Sequence, residues 1–315
     1  MHLKLFLVAL LALSVSAAEG DAANLRLRFP QNEGLRYVWT LKSTSQSSGR
    51  ERGQPFTLTK SNTTAMTMLL KGLPPKGEGT PVSLRLQDFT YSEKRSIGPD
   101  SAVELTASKG HIKYTENGKV LVDSDNDIGV EQLANFQQHI KSLENADLRA
   151  VLDPAGRQME MQSDNALVEG IKKLSQGIFP ILAGKEVKEG ETWEDSFKIP
   201  ALGEDFKLAR PALVRSKMTF AKWVEKDGVR LAQIELVSAW EKQDLKGENA
   251  TGLLMEFSNI DGRSIGTCFF DPAKGQFTEG AIESELKYRL DGELNGETTG
   301  LDVTGKTVST FAVKK

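Results

Sequence analysis

Three short stretches hold the residue types from which a reaction centre is assembled. In TCFFDPAKGQF (267–277) the only cysteine of the chain, Cys268, lies three residues from Asp271. A cysteine attacks as its thiolate and needs an adjacent base or a positive surrounding to hold that form. The nearest charge is instead a carboxylate, and the two histidines beyond residue 2, His111 and His139, are remote in sequence. Strand alternation places Cys268 on the face of Gly266 and Phe270, so the expectation is a core thiol.

In DSDNDIG (123–129), Asp123, Asp125 and Asp127 stand at every second position, as at the start of a calcium loop. Ile128 occupies the slot that requires Gly and Ala134 the slot that requires a bidentate Glu, so a helix cap at Asp127 is the simpler expectation. In GETWEDSF (190–197), Trp193 sits among Glu191, Glu194 and Asp195, which is the residue set of a sugar site with two carboxylates. On a strand, however, Glu191 and Glu194 point to opposite faces. Phosphate-binding glycine loops, a Gly-x-Ser-x-Gly elbow and His-Glu-x-x-His are missing from the sequence. We therefore assign no catalytic residue, no metal ligand and no cofactor, and leave the ligand-binding residues unknown. The sequons at Asn62 and Asn249 read as exposed positions.

Stepping outward to the elements, Leu25, Leu27 and Phe29 and then Leu35, Tyr37, Trp39 and Leu41 alternate with polar residues, as do Ile282, Ser284, Leu286, Tyr288 and Leu290. Period two predicts half-buried strands. STSQSSGRERGQ (43–54) interrupts the pattern and is expected to be a long hairpin loop, whereas Glu116-Asn117-Gly118 predicts a tight hairpin turn. Val130, Leu133, Ile140 and Leu143, and then Leu167, Ile171, Leu174 and Ile178, recur at helical spacing. Two helices are expected, the second from about 163 to Pro180. VLDPAG and FFDPAKG echo one another at 151 and 269 as Asp-Pro turns. The order of strands, helices, strands predicts an α+β, mainly β fold: a large curved antiparallel sheet or half-barrel with two central helices on its concave face.

The chain begins with a short basic start, an apolar run over residues 5–15 and small residues at Ser16, Ala17 and Ala18, the pattern of a secretory leader cleaved near Ala17 or Ala18. Residues 1–18 are thus expected to be removed, leaving 19–315 as one β-rich unit, with 19–162 and 185–315 as two related halves joined by the helix at 163–180. The expected product is soluble, secreted or periplasmic, and without a transmembrane segment. A net charge of −3 with dispersed basic residues argues against nucleic acid as a partner.

The combination of Pro180, Val187, Gly190 and Trp193 with the late Asp271 to Gly275 hairpin resembles a family of bacterial secreted proteins of unknown function. That resemblance implies a chain of this length and carries no catalytic residues. The element order is also similar, more loosely, to periplasmic lipoprotein-carrier half-barrels. Because sheet and helices each bring one greasy face, the space they leave unfilled is expected to be an apolar pocket, and the chain a non-enzymatic binding or scaffold protein with a lipid or another apolar molecule as its ligand. The alternative is a secreted hydrolase using carboxylates borne on the sheet.

Overall fold

The computed structural model describes residues 21–314, except 32, 52–53, 75–78, 99–100, 130, 132–133, 135–136, 139–140, 142–146, 163–178, 202–205, 250–253 and 295–296. Seventeen strands carry the fold. The first nine are β1 (Ala23–Asn24), β2 (Leu35–Glu51), β3 (Gln54–Gly72), β4 (Thr80–Ile97), β5 (Ser101–Ser108), β6 (His111–Glu116), β7 (Lys119–Asp123), β8 (Asp147–Leu152) and β9 (Gln158–Gln162). The rest are β10 (Glu186–Val187), β11 (Thr192–Ala201), β12 (Phe206–Lys226), β13 (Val229–Trp240), β14 (Leu245–Asn249), β15 (Leu254–Asp271), β16 (Gln276–Leu294) and β17 (Glu297–Val313).

Fifteen of them form one antiparallel sheet with the path β11-β12-β13-β15-β16-β17-β2-β3-β4-β5-β6-β7. Its two halves are joined by β17 pairing β2, the last strand of the chain against the first strand of the sheet. β4 changes partner along its length: residues 80–85 pair β8 and residues 90–97 pair β5. Between the two stretches Asp88 takes a positive φ of 52°, a local kink of the kind that bulges introduce. β8 then pairs β9, so near the N-terminal strand β1 the sheet ends at β9 on one side and β11 on the other. Arg157, beside β9, donates from Nε to Asp195 Oδ1 on β11 at 2.9 Å. Because these strands terminate opposite ends of the sheet, the sheet must curl until its ends almost meet.

The α+β expectation is corrected: the described chain is built of strands, and no helix appears among its elements. Of the first predicted helix only residues 131, 134, 137, 138 and 141 are described, the last four in helical conformation; residues 163–178 of the second lie outside the described residues. Among the described residues the concave face is covered by extended chain. Residues 23–29 and 179–187 form a strap, held together where β1 pairs β10 and where Leu25 N donates to Lys185 O at 3.1 Å and Gly184 N to Leu25 O at 3.0 Å. Apolar residues that a helix would have presented come from this strap: Leu25, Leu182 and Val187 are buried in the main core.

The two Asp-Pro turns clamp the strap. Asp153 Oδ1 accepts from Ala155 N and Asp271 Oδ1 from Ala273 N, an Asx turn in each case. Pro154 O then takes the Leu27 amide at 3.0 Å and Gly275 O the Arg28 amide at 2.8 Å. The echo in the sequence thus marks two turns that do the same work on neighbouring residues of one segment.

Asn117 and Gly118 adopt φ values of 49° and 78° between β6 and β7, the predicted hairpin. The predicted loop at 43–54 is corrected: β2 continues to Glu51 and β3 begins at Gln54, with Arg50 paired to Pro55.

Candidate functional site

Inward positions are easily read along β12, where Ala212, Val214, Ser216, Met218 and Phe220 are all buried and their odd-numbered neighbours are partly or fully exposed. β13 and β15 repeat this alternation, so this part of the concave face is apolar at most positions. Between that face and the strap lies a cavity of about 670 Å³. Met68, Leu84, Met218 and Leu236 form part of its walls, and Phe29, Phe179 and Ile181 of the strap form its cover. The strap is anchored by aromatic contacts: Phe179 packs on Tyr37, Phe277 and Phe311 with ring centroids at 5.0, 5.5 and 4.9 Å. Tyr37 also donates its hydroxyl to Phe277 O at 2.8 Å, which satisfies a polar tip in an otherwise greasy site.

Trp193 has a structural task here. Its Nε1 donates to Ile181 O at 2.8 Å, tying β11 to the strap. Asp195 lines the cavity and pairs with Arg157, while Glu191 accepts from the Lys188 amide at 3.1 Å. The GETWEDSF carboxylates are thereby divided between a turn and the cavity mouth.

One polar row crosses this face. Asp195, Ser216, Ser238, Ser264, Ser284, Thr307, Ser43, Asn62 and Glu93 are register partners on nine successive strands, from β11 to β4. Hydroxyl pairs close at 2.8 Å between Ser216 and Ser238 and between Ser264 and Ser284, and Ser43 donates to Asn62 Oδ1 at 2.6 Å. Ser216, Ser238, Ser264 and Ser284 all line the cavity. Asn62, expected at an exposed position, therefore sits in this inward row and is only partly exposed. Beyond the row lies a second apolar cluster around Phe257, Leu245 and Leu290, with Trp240 packed on it.

At the end of the row Glu93 is buried at 4% side-chain exposure, with Lys60 Nζ at 2.7 Å and Tyr91 and Arg95 as further donors. Burial pushes its carboxyl upward, but the hydrogen bonds from Lys60, Tyr91 and Arg95 outweigh that and hold it below its ordinary 4.5. A depressed carboxyl stabilises the fold above the unfolded value and loses that contribution as pH falls through the folded one. Stability of the wild type is expected to fall below about pH 4.5; Glu93→Gln is expected to cost about 2 kcal/mol at pH 7 and to flatten the acid limb. Urea titrations at pH 7 and pH 4 measure both, and an unchanged acid limb in the variant refutes the assignment.

The remaining sequence candidates do not converge. Cys268 is fully buried, paired across the sheet with Ile234 and Gly280, and burial pushes its thiol up to about 12. A Cβ built on Gly280 would stand 2.6 Å from its sulfur, so the glycine makes room for the thiol. His111 is exposed and bound to Asp125, and His139 lies outside the described residues. Asp123 accepts from Asp125 N at 3.1 Å and Asn126 Nδ2 at 3.0 Å in a tight turn, and Asp127, at φ 56°, belongs to the same turn. A water-soluble disulfide reagent is expected to leave the native thiol untouched and to titrate one thiol in denaturant. Stoichiometric reaction of the folded protein would contradict that burial.

Outward positions carry charge: Arg263 pairs with Glu285 at 3.2 Å, Lys306 with Glu285 at 2.8 Å, and Arg215 with Glu241 at 3.2 Å. This is the reverse of a membrane barrel, whose lipid face is apolar and where an Arg or Lys at the midplane costs roughly 2–4 kcal/mol. No helix among the described residues is long and apolar enough to cross a membrane. A second hollow of about 710 Å³ has polar walls, among them Thr44, Ser61, Lys94 and Thr304.

No protein-family model matches this chain. The resemblance to a family of secreted proteins thus finds no support beyond its quoted residues, and no curated protein matches the sequence either. Among solved structures, lipovitellin, from a study of its lipid–protein interactions, aligns at 12% identity with a TM-score of 0.45 over 91% of this chain. The chain spans about a quarter (26%) of that protein. The β domain of the Bordetella autotransporter BrkA aligns at 10% identity and a TM-score of 0.27, over 90% of this chain and 100% of that one. An outer membrane channel from Pseudomonas putida F1 aligns at 10% and 0.21, over 91% and 97%. At these scores the likenesses decide nothing about ligand or mechanism. The reading of the site rests on its own geometry.

Proposed function

We propose that this chain is an extracytoplasmic, non-enzymatic binding protein that encloses a lipid or another apolar molecule between its concave sheet and the strap. The observation that carries this reading is the cavity itself. Its volume of about 670 Å³ falls within the roughly 300–1,000 Å³ of small-molecule sites, and its walls are predominantly apolar with a few placed polar groups. Location outside the cytoplasm follows from the leader pattern in residues 1–18.

Two features favour binding over catalysis. The described lining contains one carboxylate, Asp195, already engaged by Arg157, whereas a glycosidase-type hydrolase needs two flanking the scissile bond. The one thiol is buried and held protonated by its surroundings. Native mass spectrometry of protein purified from its own envelope tests the proposal. The expected spectrum shows an added mass that organic extraction removes, after which the neutral dye Nile red enters with a blue-shifted emission. A bare mass together with no dye uptake would overturn it.

A further inference from the structure

Resting on the binding reading above, we infer that the occupant is an uncharged amphiphile, a long-chain alcohol or acyl ester whose oxygen lies on the serine row. The cavity offers different chemistry at different depths. Its inner walls are hydrocarbon, except where Ser216, Ser238, Ser264 and Ser284 cross them side by side. Ser216 and Ser238 are 8% and 6% exposed. Within a hydroxyl pair one O–H is donated and the other remains, so the two pairs can still offer one donor each and several lone pairs. A pure hydrocarbon laid across this row would leave those groups without partners, which is costly in a dry site. A hydroxyl or ester carbonyl satisfies them.

A buried carboxylate or phosphate would require a compensating cation. The cationic side chains of the lining, Arg157 and Lys198, are both exposed at the rim. Arg157 is already shared between Asp195 at 2.9 Å and Asp153 at 3.4 Å. The four serines are neutral, and the charges next to them, Asp195 in the row and Arg157 beside it, are paired with one another. Charge therefore selects against an anionic headgroup inside, and the hydroxyls select against a bare alkane.

Displacement of Nile red from delipidated full-length protein at pH 8 by dodecanol, dodecane and dodecanoate tests this at constant chain length. Dodecanol is expected to act at about tenfold lower concentration than dodecane, the increment of one or two hydrogen bonds, with dodecanoate weaker than dodecanol. In the variant carrying Ser216→Ala, Ser238→Ala, Ser264→Ala and Ser284→Ala, which removes both hydroxyl pairs whole, the alcohol preference is expected to shrink to within about twofold while dodecane binds at least as tightly as to the wild type. Equal affinity for dodecanol and dodecane in the wild type overturns the inference and leaves the binding reading standing. Tightest binding of dodecanoate overturns it too, by placing the headgroup at the Arg157 and Lys198 rim. Failure of all three ligands and of Nile red sinks the binding reading itself.

Discussion

Phe277→Ala is expected to lower the free energy of unfolding by about 3–5 kcal/mol, the cost of deleting a large buried aromatic whose neighbours relax only partly. Phe277 has no exposed surface and meets three rings at once: Phe179 stacked at 5.5 Å and an interplanar angle of 3°, Phe270 edge-on at 5.2 Å and Phe311 edge-on at 5.9 Å. It is thus the point where β16, β17 and the strap share one core. Truncation leaves the Phe277 carbonyl in place for Tyr37, so that bond survives and the loss reports packing alone. Such a loss is a large part of the stability of a typical domain. Urea unfolding checks the number, with Val308→Ala as a control on the outer face, where 37% exposure predicts a change within about 0.5 kcal/mol. A loss below about 1 kcal/mol for Phe277→Ala would mean that the strap does not pack on this ring.

The consequences reach the site because the strap is its cover. Phe179 touches Phe277 directly, so the variant is also expected to release bound dye faster even under conditions where it remains folded. Stability and retention of ligand are coupled here through one ring.

Period-two alternation was legible wherever an apolar inward face met a charged outward one, as in Ile282 to Leu290, and there the strands fall where the pattern puts them. It failed at 43–54 for a physical reason. Past the polar row the inward positions Ser45 and Ser47 of β2 are themselves polar, so alternation vanishes while backbone pairing, with Lys60 and Leu58 opposite them, continues unbroken to Glu51. Pairing depends on N–H and C=O groups that every residue but proline carries, and a hydropathy pattern cannot see it. Helical spacing at 130–143 and 163–180 led to an α+β class, whereas the described residues are almost entirely in strands. Apolar recurrence tells that a segment wants cover, and the described structure gives the covering role to the extended strap at 23–29 and 179–187.

The cavity was foreseen as a consequence of a sheet with one greasy face, but its polar row was not. Ser284 appeared in the sequence as one polar residue in the otherwise apolar series Ile282, Leu286, Tyr288. Its meaning emerges only when register aligns it with Ser264, Ser238 and Ser216, residues 20, 46 and 68 positions earlier in the chain. A search for single polar residues on the inward face of every strand, counted from the hairpin turns, is the signal that would have found them. Likewise Trp193 stood out in the sequence beside its carboxylates, yet its partner is a backbone carbonyl of the strap, which no motif announces.

Obstructing the cavity with one large side chain is expected to weaken ligand retention while leaving the fold intact. Ser264→Trp introduces a large side chain from β15 at a partly exposed position that faces the void, and Leu84→Trp does so from the opposite side, on β4. Because the new ring enters existing space, its own burial offsets part of the cost of losing one hydroxyl pair or one well-packed leucine, and overpacking typically costs 1–3 kcal/mol. Retention depends on the volume left over. An aromatic side chain set across the void obstructs the stretch an alkyl chain would need without filling all of the roughly 670 Å³, so Nile red and dodecanol affinities are expected to fall about tenfold. The native mass spectrum should show less of its extractable component. Two variants from facing walls separate mechanism from misfolding: if one unfolds, the other carries the test, with circular dichroism and urea midpoint reporting the fold. Full ligand retention in a folded variant of either kind would place the ligand somewhere other than the space between sheet and strap, and would remove the geometric basis of the binding function.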